Sequence, residues 1–374
     1  MDRGIEPGRP LRVLVIIPPI AKSVYGGAAI QARCTAEALN ALGAQAVVVT
    51  TDRPDPAGFD VAHIVGIGDP TALANQLRAC ARARVPAALS PVWCSWREVS
   101  ARALRAVDVL RDARSERVAL RDLRAIHDAE VRTLLNRRDA REFDLFERAQ
   151  AKLMRAASVL LPISAAEWRD LRLRLGVRDV PCWIVPNGIR WESVRPWSPQ
   201  RRGVICAARI EPGKNQHMLA FALRDLDVEL TFAGDAGNEK YLAVVRRWAG
   251  RNARFVGRLD HAELMASFSR AAVHAMPSWA DVTSLSHLEA AASGARIVAG
   301  DRGFEWEYLE GDARYVDPAD PESIRLAVLS ALEEKARTPG DELDARLRGL
   351  TWQRAAEQAM RGYAVARAAY RGSA

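Results

Sequence analysis

The chain alternates between two hydrophobic periods. Short, mostly apolar runs recur between longer stretches in which apolar positions return every three or four residues, the pattern of doubly buried strands and the amphipathic helices that cover them. Residues 11–17 (LRVLVII) form the first such run. A polar loop ending at Gly26-Gly27 leads into a helical segment over 28–42, which stops at Gly43, a residue suited to closing a helix, and 46–50 is the next strand. The opening therefore predicts a βαβ unit. Further strands are predicted at 61–65, 87–90, 158–162 and 182–185. The proline-free, charged, leucine-punctuated stretch 100–157 predicts two or three helices.

The composition then breaks at Pro196, Pro199, Gln200, Arg201, Arg202 and Gly203, a candidate linker. Alternation restarts at 203–208 and continues through a helix at 215–223, a strand at 228–234, a helix at 240–247, a strand at 254–257, a helix at 262–268 and strands at 273–277 and 295–300. Two successive arrays of this kind predict an α/β protein of two Rossmann-like, doubly wound domains facing a central cleft. Their expected limits are 1–195 and 196–351. The length of 374 residues agrees with two domains, since single cores rarely exceed about 250–300 residues.

Bulk composition narrows the classes. Hydrophobic residues at 49% and charged residues at 27% are globular values, and no apolar run reaches the ~20 residues of a membrane helix. The N-terminal residues lack the apolar stretch of a signal peptide, so a cytoplasmic location is expected. The five cysteines (Cys34, Cys80, Cys94, Cys182, Cys206) are scattered without CxxC spacing, which supports neither a disulfide framework nor zinc. A net charge of +8 favours acidic partners, namely phosphate-bearing substrates, anionic lipid or nucleic acid. Between Arg97 and Arg141, however, arginines are interleaved with acidic residues and aromatics are scarce. That stretch reads as a solvated helical face, and no nucleic-acid partner is expected.

Candidate chemistry concentrates after two strands of the second half. Asp281 and Glu289 are separated by seven intervening residues in PSWADVTSLSHLEAAASG (277–294), across a turn into a small-residue helix. Thr283 to Ser286 fall at that helix start, where N–H groups attract an anion, and the carboxylates suit vicinal hydroxyls of a sugar or ribose. A helix cap at Asp281 and a surface ion pair at Glu289 explain the same residues. Arg209 and Lys214 follow the strand 203–208, on the side of an open sheet where ligands bind, and suit two adjacent phosphates as well as ordinary surface charge. Gly26 and Gly27 open a helix where an anion can approach the backbone, although a simple turn explains them equally and GxGxxG is absent. His63 lies on a strand and reads as packed, and His287 should turn away from Glu289 because residues two apart share no helix face. Asp225-Leu226-Asp227 has DxD spacing but precedes a strand of a Rossmann-like half, so no metal is expected there.

At these residues the chain resembles the retaining nucleotide-sugar glycosyltransferases of family 4, which have the GT-B architecture. The resemblance is carried by Pro277-Ser278 and Glu289-Ala290 through Gly294. In order along the chain it also includes Gly26-Gly27, Ser164 with Glu167, Pro186-Asn187-Gly188-Ile189, Arg209 with Lys214-Asn215, Ala233-Gly234 and Val256-Gly257. Thr351-Trp352 and Tyr363 are similar to the segment that returns as a C-terminal helix, about 352–374, to the first domain. The resemblance implies a glycosyltransferase that moves a sugar from a nucleotide-sugar donor to a hydroxyl acceptor, a glycan or lipid-linked molecule of surface polysaccharide synthesis, with retention of configuration. It implies that Arg209 and Lys214 hold the donor diphosphate and that Glu289 binds the ribose. Asp281 would meet the donor sugar, the backbone at Ser284 and Leu285 the phosphate or sugar, and Gly26-Gly27 the diphosphate and acceptor. No protein nucleophile, metal or cofactor is implied, and peripheral contact with the inner face of the membrane is compatible with the basic charge. Asp281 stands where the family pattern has the longer Glu, and the strand at 87–90 carries no catalytic His. An inactive GT-B glycan- or nucleotide-binding protein and a nucleotide-sugar epimerase are the alternative readings.

Overall fold

The computed structural model describes residues 9–19 and 26–372. The N-terminal residues that bear on a signal peptide, and most of the polar loop before Gly26, lie outside the described residues. The chain forms two compact units. One comprises Met1–Trp93, Glu142–Gly188 and Gly349–Ala374, the other Cys94–Arg141 and Ile189–Arg348. This division differs from the expected one at 195/196 in two ways: the crossing falls at 188/189, and residues 94–141 belong with the second sheet.

The first unit holds β1 (Arg12–Ile17), β2 (Gln45–Thr50), β3 (Val61–Val65), β4 (Ala87–Ser90) and β5 (Val159–Leu160) in the parallel order β2-β1-β3-β4-β5. β1 and β3 are central and almost fully buried, which is why their sequences are apolar at successive positions. Residues 182–185 do not form the expected strand; Cys182 makes an isolated bridge to Leu160. Trp183 and Val185 donate to the carbonyls of Leu160 and Pro162, both at 2.9 Å, but Pro162 has no N–H to return the bond that would continue the ladder. The helix Trp352–Gly372 returns to this unit as the resemblance implies. Its Ala356, Ala359, Tyr363 and Ala366 join Ala29, Ala32, Ala36 and Leu39 of the helix Gly27–Ala41 in one apolar core. A Cβ on Gly188 would lie 2.3 Å from the Trp352 backbone nitrogen, so the Pro-Asn-Gly-Ile segment needs glycine where that helix begins.

Two buried polar groups lock this unit. Glu167, fully buried, accepts from the backbone N–H groups of Trp93 and Ile163, both at 2.8 Å, while Ser164 caps the helix Ala165–Arg174. His63 is packed, as its strand position suggested: its Nδ1 lies 2.8 Å from the Tyr363 hydroxyl and its Nε2 2.9 Å from Ser90 Oγ. Burial lowers the His63 pKa to about 4.

The second unit holds β6 (Arg202–Ala207), β7 (Leu230–Ala233), β8 (Ala253–Gly257), β9 (Ala271–Met276), β10 (Arg296–Gly300) and β11 (Ala313–Val316) in the parallel order β11-β10-β9-β6-β7-β8. The winding reverses between β6 and β9, which places a topological switch point between their C-terminal ends. The stretch after residue 98 is a π-helical turn Val99–Ala103 running into Leu104–Asp112, followed by Glu116–Asp128, Val131–Leu134 and Arg137–Met154. Ala106, Leu110, Ala119 and Leu123 share a core with Phe221, Tyr241 and Val245, and Trp248 Nε1 donates to the Leu110 carbonyl at 2.7 Å. The expected linker is pinned rather than loose. Trp197 donates to the Ala292 carbonyl at 2.8 Å, and the guanidinium groups of Arg201 and Arg337 each lie 5.1 Å from its ring. Among the described residues no helix is long and apolar enough to cross a membrane.

The His63 contacts generate a stability prediction. Below its ordinary pKa of 6.5 the unfolded chain takes up a proton at His63 that the native chain refuses until about pH 4, so stability falls as pH drops through that window. Tyr363→Phe leaves His63 Nδ1 buried without its partner, and urea unfolding at pH 7.5 should show a loss of about 1–3 kcal/mol. An unchanged midpoint would show that the contact does not hold the C-terminal helix.

Candidate functional site

The loop after β6 is built to hold two cations at fixed positions. Ala208 and Ile210 continue the backbone pairing, donating to the carbonyls of Ala233 and Asp235, each at 2.9 Å. Gly234 permits this approach, because a Cβ there would lie 1.9 Å from the Ala208 carbonyl oxygen. Below the loop, Gln216 donates to the Arg209 carbonyl at 2.8 Å, and its Oε1 accepts from Glu211 N–H at 3.3 Å and from the Tyr241 hydroxyl at 3.2 Å. The short 3-10 turn Pro212–Lys214 ends at Asn215, a fully buried residue in the left-handed region with φ of 64°.

Asn215 and its neighbours stitch this loop to the one after β9. Its side-chain amide donates to the carbonyls of Pro277 and Pro318, both at 2.9 Å. Trp279 N–H donates to the Gly213 carbonyl at 2.9 Å. Lys214 Nζ then meets Asp281 Oδ2 at 2.6 Å. Burial alone disfavours the Lys214 ammonium, but Asp281 and, more weakly, Glu211 outweigh it and raise the pKa, so the cation persists at neutral pH. Gly300, at the end of β10, backs the second loop: a Cβ there would lie 2.1 Å from the Ser278 carbonyl oxygen.

The sequence-predicted residues divide between the two units. Arg209, Lys214, Asp281, Ser284, Leu285 and Glu289 all belong to the second unit, at or beyond the C-terminal ends of β6 and β9, whereas Gly26 and Gly27 open the helix Gly27–Ala41 of the first. Asp281 does not cap the helix Leu285–Ala292; its Oδ1 accepts from the N–H of Val282 at 3.1 Å. Glu289 is largely buried and takes a hydrogen bond from His261 Nε2 at 3.0 Å, so it is no surface ion pair. Arg209, 40% exposed, pairs with Glu211 at 2.9 Å.

One expected contact needs correction. The Ser284 backbone N–H is not held out to a ligand but donates to Glu305 Oε1 at 3.2 Å. Glu305 is 1% exposed, so the chain supplies its own anion at the start of that helix. His287 turns away from Glu289 as expected. It is fully buried, with its ring 4.9 Å from that of His274, whose pKa burial pushes well below the ordinary value. Asp225 and Asp227 are engaged with Arg325 and with Asn252 and Arg251, respectively, so the DxD pair serves as surface ion pairing. Sequence reasoning missed Glu211, Glu305 and His261. Two residues from Arg209, Glu211 had a legible signal, and so did His261, just beyond the C-terminal end of a predicted strand. Nothing in the sequence pointed to Glu305.

Cations and carboxylates pair at the switch point, and the known proteins to which this chain is similar are glycosyltransferases. The family model described as Glycosyl transferases group 1 matches residues 201–334, which include every strand of the second sheet. Among characterised proteins, glycogen synthase of Mycobacterium tuberculosis is 28% identical over 235 residues, 58% of this chain and 56% of that protein. The GDP-mannose-dependent monoacylated alpha-(1-6)-phosphatidylinositol monomannoside mannosyltransferase of Corynebacterium glutamicum is 29% identical over 180 residues, 41% of this chain and 47% of that protein. The match thus spans about half the length of these relatives. The solved structure of sucrose-phosphate synthase from Thermosynechococcus elongatus superposes with a TM-score of 0.71 at 16% identity, covering 94% of this chain and 98% of that one. Anabaena HepE in complex with UDP and glucose gives 0.60 at 16% identity, covering 97% and 98%. These likenesses establish the fold: two parallel-sheet, Rossmann-like α/β domains as in GT-B glycosyltransferase structures.

The stitching of the two loops is testable at Asn215. Asn215→Gly removes both side-chain hydrogen bonds but tolerates positive φ, whereas Asn215→Ala loses the bonds and adds left-handed strain. Denaturant unfolding should therefore rank both below the wild type, with alanine a further ~1–2 kcal/mol less stable than glycine. Equal stability of the two variants would contradict a strained, bonded turn.

Proposed function

We propose that the protein is a retaining glycosyltransferase that transfers a sugar from a nucleotide-sugar donor to a hydroxyl acceptor. The observation that carries this reading is the 2.6 Å meeting of Lys214 with Asp281. Two motifs that are separate in the sequence converge at the switch point of the sheet matched by the glycosyltransferase model. In this reading Arg209 and Lys214 take the diphosphate and stabilise its charge as it leaves, Glu289 accepts from the ribose hydroxyls and Asp281 meets the donor sugar. The backbone contact to phosphate falls to Leu285, because Ser284 is committed to Glu305. Gly26 and Gly27, at a helix start of the first unit, are suited to accept an anion.

The reaction needs no protein nucleophile. The acceptor attacks on the face from which the diphosphate departs, through an oxocarbenium-like state, and the leaving phosphate takes the acceptor proton. The positive charge supplied by Arg209 and Lys214 replaces any need for a metal or cofactor. Structural relatives described with UDP and UDP-glucose, and a sequence relative named as GDP-mannose-dependent, support a nucleotide-sugar donor. A glycan or lipid-linked acceptor of surface polysaccharide synthesis, reached from the cytoplasmic side of the membrane, completes the proposal.

Lys214→Ala should reduce transfer from the preferred nucleotide sugar at least about 100-fold, with the folded state retained by circular dichroism. Near-normal turnover of the folded variant would refute the phosphate role of Lys214. The anomeric proton coupling of the product, read by NMR, tests retention directly, and an inverted product would overturn it. Conversion of the nucleotide sugar to its epimer without any acceptor would support the epimerase alternative instead.

A further inference from the structure

The pair formed by His261 and Glu289 is not explained by the fold alone. His261 is the first residue of the helix His261–Arg270, and that helix start is already complete. Asp260 accepts from Glu263 N–H at 2.8 Å, and Glu263 Oε2 accepts from Asp260 N–H at 3.0 Å, a reciprocal capping box. The imidazole is thus free of any capping duty and reaches the neighbouring helix Leu285–Ala292, where Nε2 lies 3.0 Å from Glu289 Oε1. The ring is 35% exposed and the carboxylate 14%. A pair so placed adds little to stability. Its effect is on direction: a glutamate with three rotatable side-chain bonds is held by one oxygen, leaving the other available to a ligand.

We infer that His261 is a positioning residue of the donor site, which fixes the Glu289 carboxylate so that its second oxygen receives a ribose hydroxyl of the nucleotide. The inference rests on the proposed role of Glu289. A side chain locked before binding loses less freedom on binding, and sites that keep their contact groups in place through a second layer of hydrogen bonds bind more tightly. The other charged groups that act on the imidazole are Arg190 and Glu192, which flank and form part of the turn Trp191–Ser193. Together with burial, they only modulate it. The hydrogen bond to Glu289 is the largest influence and raises the His261 pKa.

The test compares UDP and GDP, and the 2′,3′-dideoxy analogue of whichever binds more tightly, by calorimetry with the full-length wild type, His261→Ala, His261→Gln and Glu289→Gln. His261→Ala should weaken the ribonucleotide about three- to tenfold, the order of one side chain's ordering cost, and should leave the dideoxy analogue unchanged. His261→Gln, whose amide can still donate to Glu289, should recover most of the loss. Loss of affinity for both nucleotides alike, or for neither, would overturn the role of His261. The parent reading fails separately, and the inference with it, if the wild type does not distinguish the ribonucleotide from its dideoxy analogue or if Glu289→Gln does not abolish that distinction.

Discussion

The candidate site depends on one constraint: the loop after β6 must be tied to the loop after β9 across the switch point of the second sheet. Asn215 does most of this tying. Its left-handed backbone turns the chain at Lys214, and its amide bonds the carbonyls of Pro277 and Pro318. With Trp279 bonded to Gly213, the two loops have little freedom to separate. Lys214 and Asp281 then face each other because their backbones are fixed. Their ion pair follows from the scaffold rather than creating it.

This arrangement gives the site an internal charge balance. Each of the two cations assigned to the diphosphate already has a carboxylate partner, Arg209 with Glu211 and Lys214 with Asp281. A partly buried cation without a counter-ion would weaken the fold, and a carboxylate left alone would do the same. A diphosphate that displaces these partners must supply comparable negative charge, which is a physical basis for preferring a diphosphate over a less charged ligand. Glu305 completes the balance from below, since its buried carboxylate occupies the Ser284 N–H at the start of the helix that carries Glu289.

Much of this was legible in the sequence because parallel sheets write themselves plainly. The apolar runs at 61–65 and 87–90 coincide with β3 and β4, and of the residues assigned to a donor site Arg209, Lys214, Asp281, Ser284, Leu285 and Glu289 fall beyond the C-terminal ends of β6 and β9, whereas Gly26 and Gly27 lie in the first unit. The segment 94–141 was misplaced for a physical reason. Amphipathic helices announce that they have an apolar face, but not which sheet that face covers, and Leu110 and Leu123 pack with Phe221 rather than on the preceding strands. Residues 182–185 had strand composition, and Trp183 and Val185 do donate across, but the facing Pro162 has no N–H with which to continue the ladder. Glu305 escaped because its importance comes from what it touches, Ser284, across a distance in sequence that no local motif spans.

A crystal structure of the full chain with a bound nucleoside diphosphate tests the central claim most directly. The account predicts phosphate oxygens within about 3 Å of both the Arg209 guanidinium and Lys214 Nζ, with a ribose hydroxyl on Glu289. A nucleotide bound elsewhere, with Arg209 still on Glu211 and Lys214 still on Asp281 and neither touching phosphate, would contradict it.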